Sequence, residues 1–432
     1  VHAQFGFPRL GGVVGGVSID ADGTVRSSSA EDRSGWLKNM REVATSPSGE
    51  LASDVALRMV SLTKLQAEID LAISENRPLS EDVLYLAGLQ RVEYVFVYPE
   101  RNDIVIAGPA ESWIVREDAS VVGKTSGRPV LQLEDLIVAL RTTEASQEAP
   151  ITVSINPTPE GQLRLNNLLS QVRTGPGFNP AQIEPAMKEA FGPQQVTLTT
   201  VPLNSRMAQT LVAADYRMKR LAMGLEEIPV QGLKSYLEMV RNGGPKNGMQ
   251  PRWWMACDYD AILHSDDLLA WKLTGTGIKA MTEDEIVQAS GQRTGSGTAN
   301  KQAQAWSDKF TAKFDELCGH NAAFGDLRNV MDLNIVATVI RAHELERVAG
   351  CDFGLLRGEA GSLETPEWQS PKTISPECSF VRGNAGWVVT ASGGVEINPW
   401  KEVSQKAKVD AGIKTVHRQA DANTSDSSWW WN

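Results

Sequence analysis

His343-Glu344-Leu345-Glu346-Arg347 opens as a helical zinc-protease motif does, but position 347 is Arg where a second imidazole is required. One His on a helix cannot fix a metal ion. The densest acidic group, Asp258, Asp260, Asp266 and Asp267, has the right oxygen chemistry for a divalent cation. No further ligand follows at fixed spacing, so these read as solvated loop carboxylates. Asp20-Ala21-Asp22-Gly23 begins like a calcium loop and lacks the distal Glu; it reads as the turn of a hairpin. Gly275-Thr276-Gly277 and Gly295-Ser296-Gly297-Thr298 have no following Lys and read as surface loops rather than phosphate cradles. Ala391-Ser392-Gly393-Gly394 is the nearest relative of a nucleophile elbow, yet it lies between two strand-like runs and reads as a hairpin turn. Asp215 and Lys219 stand four apart on a predicted helix, the spacing of a structural ion pair; a nucleophilic Lys219 would need its pKa depressed by burial. No catalytic, cofactor or metal site is assembled by these patterns. An enzyme built on this chain would draw on Asp258, Asp260, His264 and His320.

The aromatic residues point elsewhere. Trp429-Trp430-Trp431 follow a Ser/Asp/Asn-rich spacer and have no local core to enter. At ~150–250 Å² per ring, such a cluster left in water would expose more apolar surface than soluble monomers tolerate. It is expected to dock in a groove, on the same chain or on a neighbour. Phe5 and Phe7, in a Gly-rich arm, are the matching candidates at the other end, so the expected assembly interface is Phe5, Phe7, Trp429, Trp430 and Trp431. The four cysteines, Cys257, Cys318, Cys351 and Cys378, form no C-x-x-C pair. In an exported chain that even count predicts up to two disulfides, and Cys318 with Cys351, flanking a predicted helix over 325–348, is the first pairing to expect.

The elements that must position these residues predict an α+β, or mixed α/β, multi-domain chain of small antiparallel sheets with packed helices. An extended arm covers 1–16. A first α+β unit, 17–148, holds a hairpin through Asp22-Gly23, a helix over 51–76 whose apolar residues share one face, strands at 94–98 and 103–107, and a short helix over 133–141. A small α/β unit, 149–245, has the order β-α-α-β-α, with strands at 151–155 and 196–201 and a long helix over 205–224. The Gly/Pro/Asn-rich stretch 241–251 is the clearest linker. Ten of the twelve Trp and all four Cys lie beyond it, which marks 246–400 as a unit of different composition. It is predicted to hold strands, helices over 299–318 and 325–348, and a late hairpin over 379–397. A polar tail, 401–432, ends in the Trp cluster.

A net charge of −11 and the lack of any Lys/Arg cluster exclude a nucleic-acid binder, which needs a basic face. No apolar run approaches the ~20 residues that span a bilayer, so no membrane insertion is expected. The small residues Val1 and Ala3 match the end of a cleaved signal peptide, and predict an exported product of the periplasm or cell surface.

Two stretches carry a likeness: 94–136, including Tyr94-Val95-Phe96-Val97-Tyr98-Pro99 and Gly123-Lys124-Thr125-Ser126-Gly127-Arg128-Pro129, and Ala213-Ala214-Asp215-Tyr216-Arg217-Met218-Lys219-Arg220. Through them and into the Trp-rich unit, most of the chain resembles a family of exported planctomycete proteins known as domain of unknown function fifteen-ninety-eight. The resemblance implies export and a cell-envelope setting, and brings no catalytic residues. The expectation is an exported, non-catalytic structural protein that partners itself through its terminal segments, as a filament, tubule or surface layer. A secreted or periplasmic enzyme and a monomeric periplasmic binding or scaffold protein are the alternatives.

Overall fold

The computed structural model describes residues 12–30, 34, 47–172, 182–240, 250–359, 363–381, 387–389, 392–423 and 431. Phe5, Phe7, Trp429, Trp430 and the linker residues 241–249 lie outside them.

Strands β1 (Val13–Val14), β2 (Val17–Ile19) and β3 (Thr24–Ser27) form a small meander. Its second turn is the Asp-Gly turn expected from the sequence: the Asp20 carboxylate accepts the amides of Asp22 and Thr24, and Gly23 takes φ +86°. That carboxylate closes a turn. β4 (Val55–Ser61), β5 (Tyr94–Tyr98) and β6 (Asp103–Ala110) follow, then the β7 (Trp113–Val115) and β8 (Val121–Gly123) pair. β9 (Ile151–Asn156) and β10 (Gln194–Thr199), near the strands expected at 151–155 and 196–201, run antiparallel. Beyond the linker come β11 (Gln250–Asp258), β12 (Ala261–His264), β13 (Ala270–Thr274), β14 (Gly277–Val287) and β15 (Arg293–Gly295). β16 (Thr373–Ile374), the β17 (Ser379–Val381) and β18 (Trp387–Val389) pair, β19 (Ser392–Ile397) and β20 (Ala407–Val409) complete the set.

Two mixed, mainly antiparallel sheets result. The larger has the order β1-β2-β3-β16-β10-β9-β19-β11-β14-β15, and the smaller β20-β12-β13-β5-β6-β4. The α+β class stands, with sheets wider than the small ones expected. Strands from the segments 17–148, 149–245 and 246–400 all enter the larger sheet, so those boundaries do not separate its strands. One apolar cluster likewise draws on all three. The expected polar tail supplies β20 and the helix Gly412–Asn423, whose Ile413 and Ala420 pack on Phe96 and Tyr98 of the smaller sheet.

The helix expected over 51–76 divides. Val55–Ser61 is the strand β4, and the helix begins at Leu62 with the Ser61 hydroxyl accepting the Lys64 amide as its cap. The stripe of Leu62, Leu65 and Ile69 was helical; extending it back to Val55 was the error, because pairing with β6 overrides a single seven-residue spacing. The helix expected over 325–348 also breaks. Ala322–Ala342 ends before His343, and Glu344 adopts a left-handed conformation, φ 49°. Ala322–Ala342 is buried on nearly every side, with Asp326, Arg328, Asn329, Asp332 and Asn334 all enclosed. Among the described residues no helix is long and apolar enough to cross a membrane.

The expected turn at 391–394 is corrected most sharply. Ser392, Gly393 and Gly394 open β19, which lies between β9 and β11 in the larger sheet. A Cβ on Gly393, φ +148°, would stand 1.5 Å from the Trp253 carbonyl oxygen, and one on Gly394 would stand 1.8 Å from that of Val153. Both glycines are there because neighbouring backbones leave no room for a side chain.

Candidate functional site

The residues weighed for catalysis are spent in local contacts. Asp258, at the end of β11, pairs with Lys279 at 3.2 Å, and Asp266 and Asp267 pair with Lys414 at 3.1 and 2.8 Å. The His264 Nδ1 lies 2.9 Å from the Ser265 carbonyl, and its ring stands 4.7 Å from that of Trp271, which also meets His343 at 4.4 Å. His320 ends a different helix, Phe314–His320, and no contact described joins it to Asp258, Asp260 or His264. Among the described residues no group of three His, Cys, Asp or Glu side chains could hold a metal ion.

All four cysteines are free thiols, which overturns the disulfide expectation. Cys318 and Cys351 sit beyond opposite ends of Ala322–Ala342. At ~1.5 Å rise per residue, a helix of that length holds its ends about 30 Å apart, far outside the ~7 Å that bridged Cα atoms allow. Flanking a helix separates a pair. Burial pushes the Cys318 and Cys378 thiols up to about 11 and Cys351 to about 12. Raised in this way, the thiols stay protonated near neutral pH and are weak nucleophiles.

Lys219 and Asp215 form the expected pair, 2.7 Å apart, on the helix Arg206–Ala222. Both are enclosed, and Lys219 Nζ also donates to the Ile155 carbonyl of β9 at 3.1 Å. Burial lowers the lysine pKa and raises that of the aspartate, with each charge opposing the shift of its partner. Sequence reasoning missed the neighbours: Glu285 of β14 accepts from Ser392 Oγ and from Arg293, and Arg293 also donates to Gln162 Oε1 at 2.7 Å. These groups come from four separated segments and are linked by hydrogen bonds beside the larger sheet, with Asp215 Oδ1 left without a partner, an arrangement that fixes strand register rather than presenting a nucleophile.

The one interface residue within the described set, Trp431, has a built seat on its own chain. β4 ends the smaller sheet, and Val60 forms an antiparallel bridge to Trp431 on its free edge. The β4–β6 register shifts between Val55 and Arg58, an irregularity typical of edges. Arg58, 1% exposed, donates to the carbonyls of Ala87, Glu50 and Ser53, and its Nε has no hydrogen-bond partner. Burial lowers its pKa, and Glu50 partly offsets this. The Trp431 ring covers that cation at 5.2 Å, and its indole N–H reaches Asp82 at 3.4 Å. Face, edge and backbone of one tryptophan are each matched.

Residues 153–236 match a family described as "Protein of unknown function (DUF1598)". The DUF1598 segment takes in β10, nearly all of β9, the helix Arg206–Ala222 and the Asp215–Lys219 pair. Of the stretches that carried the resemblance, 213–220 falls inside it and 94–136 outside; the Trp431 seat is outside too. No curated protein and no solved structure matches the chain.

Proposed function

We propose that this chain is a non-catalytic structural protein of the cell envelope that assembles with copies of itself, with the segment bearing Trp429–Trp431 as the exchanged element. The observation that carries the reading is the seat of Trp431 on an edge strand. An edge offers unpaired N–H and C=O groups to any strand that reaches it, the geometry by which chains add to one another. The residue that takes this edge lies eight residues beyond Asn423, where the last described helix ends.

A seat filled by its own chain and the same seat filled by a neighbour use identical contacts. Which occurs is decided by concentration: a short tether presents its end at an effective concentration of roughly millimolar. Exchange therefore wins where copies are crowded, as on an envelope surface, and each exchanged segment leaves another seat to fill, so head-to-tail growth follows. Export belongs to this proposal. The free thiols do not oppose it: Cys257, Cys318 and Cys378 are buried, and enclosed, protonated sulfur is protected from oxidation.

Sedimentation velocity over a hundredfold range of concentration that reaches about a millimolar tests the reading. The full chain is expected to shift toward larger species as concentration rises, and Trp431→Ala to remain a folded monomer throughout. A concentration-independent monomer for the full chain would overturn it.

A further inference from the structure

A cavity of about 510 Å³ opens between the helix Leu133–Glu148, the start of Arg206–Ala222 and the strap 363–367. That volume lies within the ~300–1,000 Å³ of small-molecule sites. Its lining carries both signs of charge. Arg141 is half-buried; its Nε donates to the Leu356 carbonyl at 3.0 Å and one Nη to that of Leu363, the residue before Glu364, at 2.9 Å. These two bonds fix the guanidinium plane. Among the described residues no carboxylate pairs with it, and burial alone holds its pKa below the ordinary value. Asn204 and Ser205 also line the cavity, just before the seventeen-residue helix Arg206–Ala222, whose first turn carries the positive end of its dipole. Glu364 and Glu367 line the cavity from exposed positions, and neither forms an ion pair among the described residues.

We propose that this cavity binds a small zwitterion of the amino-acid or short-peptide class, its carboxylate on Arg141 and its ammonium group against Glu364 and Glu367. A simple anion would leave the two carboxylates opposed to it, and a simple cation would leave Arg141 unanswered. A molecule carrying both charges answers both. A guanidinium held in plane is the group suited to bidentate carboxylate recognition.

Isothermal titration calorimetry on the full chain tests this with L-alanine, L-alanyl-L-alanine, N-acetyl-L-alanine, which lacks the ammonium, and L-alaninamide, which lacks the carboxylate. At least one of the two zwitterions is expected to bind ten-fold or more tighter than either blocked form, and the better of the two tells whether the site takes amino acids or peptides. Glu364→Gln with Glu367→Gln should weaken that zwitterion at least ten-fold while leaving N-acetyl-L-alanine unchanged. These glutamates hold no other element, so the fold is not at risk. N-acetyl-L-alanine binding as tightly as the zwitterions would mean an anion site and overturn the proposal. Heat from none of the four probes would overturn it equally.

Discussion

Lys219 is a cation that the fold has enclosed, and its neighbours decide what it is for. With Asp215 at 2.7 Å and the Ile155 carbonyl at 3.1 Å, it is satisfied rather than poised. Asp215→Asn is therefore expected to leave an uncompensated buried ammonium and to cost about 3–5 kcal/mol in urea unfolding, whereas Asp215→Leu with Lys219→Met should recover most of the loss. A loss below ~1 kcal/mol for the single change would show that the pair is not held closed in solution. A second residue-scale prediction concerns Glu134, which burial pushes up to about 7 while the Trp368 indole N–H, donating at 2.8 Å, pulls it down. Asp135 beside it stands at about 6, raised by burial and lowered by Arg206. An unfolded Glu titrates near ~4.3, so between about pH 4 and 7 the folded chain binds more protons than the unfolded one, and stability falls as pH rises through that window. Glu134→Gln keeps an acceptor for Trp368 and cannot ionise. It is expected to lose less stability than the parent between pH 5 and pH 8, by up to about 3 kcal/mol; equal losses in urea titrations at the two pH values would refute the assignment. The Asp215–Lys219 pair was legible in the sequence because i,i+4 spacing is local. Arg58 was not, because the ring that covers it is hundreds of positions away and its carbonyl partners come from two separate places, the turn holding Glu50 and Ser53, and Ala87.

At the scale of elements, periodicity placed the helix Arg206–Ala222 and the strands β9 and β10 closely, since each reads its pattern from its own residues. It failed where two remote chains set the conformation. Gly393-Gly394 carries a turn signal in isolation, and only the approach of the Trp253 and Val153 carbonyls makes it part of a strand. Gly393→Ala consequently forces a methyl into the space of a backbone oxygen 1.5 Å away in the middle of the larger sheet. The variant is expected to lose several kcal/mol or to fail to fold, which circular dichroism and thermal melting report directly. A melt within two degrees of the parent would mean that β19 does not lie between β9 and β11.

At the scale of the whole molecule, the order of predicted elements indicated α+β architecture, and its larger sheet proved to gather strands from the three segments 17–148, 149–245 and 246–400. Such interleaving depends on pairings of high sequence separation, for which a local reading has no signal. The same holds for the one docked aromatic: the Trp cluster asked for a groove, and the groove is β4, Arg58 and Asp82. Whether that seat is filled in cis or by a second copy is the central question, and complementation answers it most directly. Arg58→Met removes the cation of the seat and leaves the tail; Trp431→Ala removes the ring and leaves the seat. Thermal melting first establishes that both variants are folded. Each alone is expected to sediment as a monomer at concentrations where the full chain assembles. An equimolar mixture is expected to form a dimer that grows no further, one copy lending its tryptophan to the intact seat of the other. A mixture that stays monomeric under conditions where the full chain assembles would contradict exchange through this seat, as would Trp431→Ala alone assembling like the full chain.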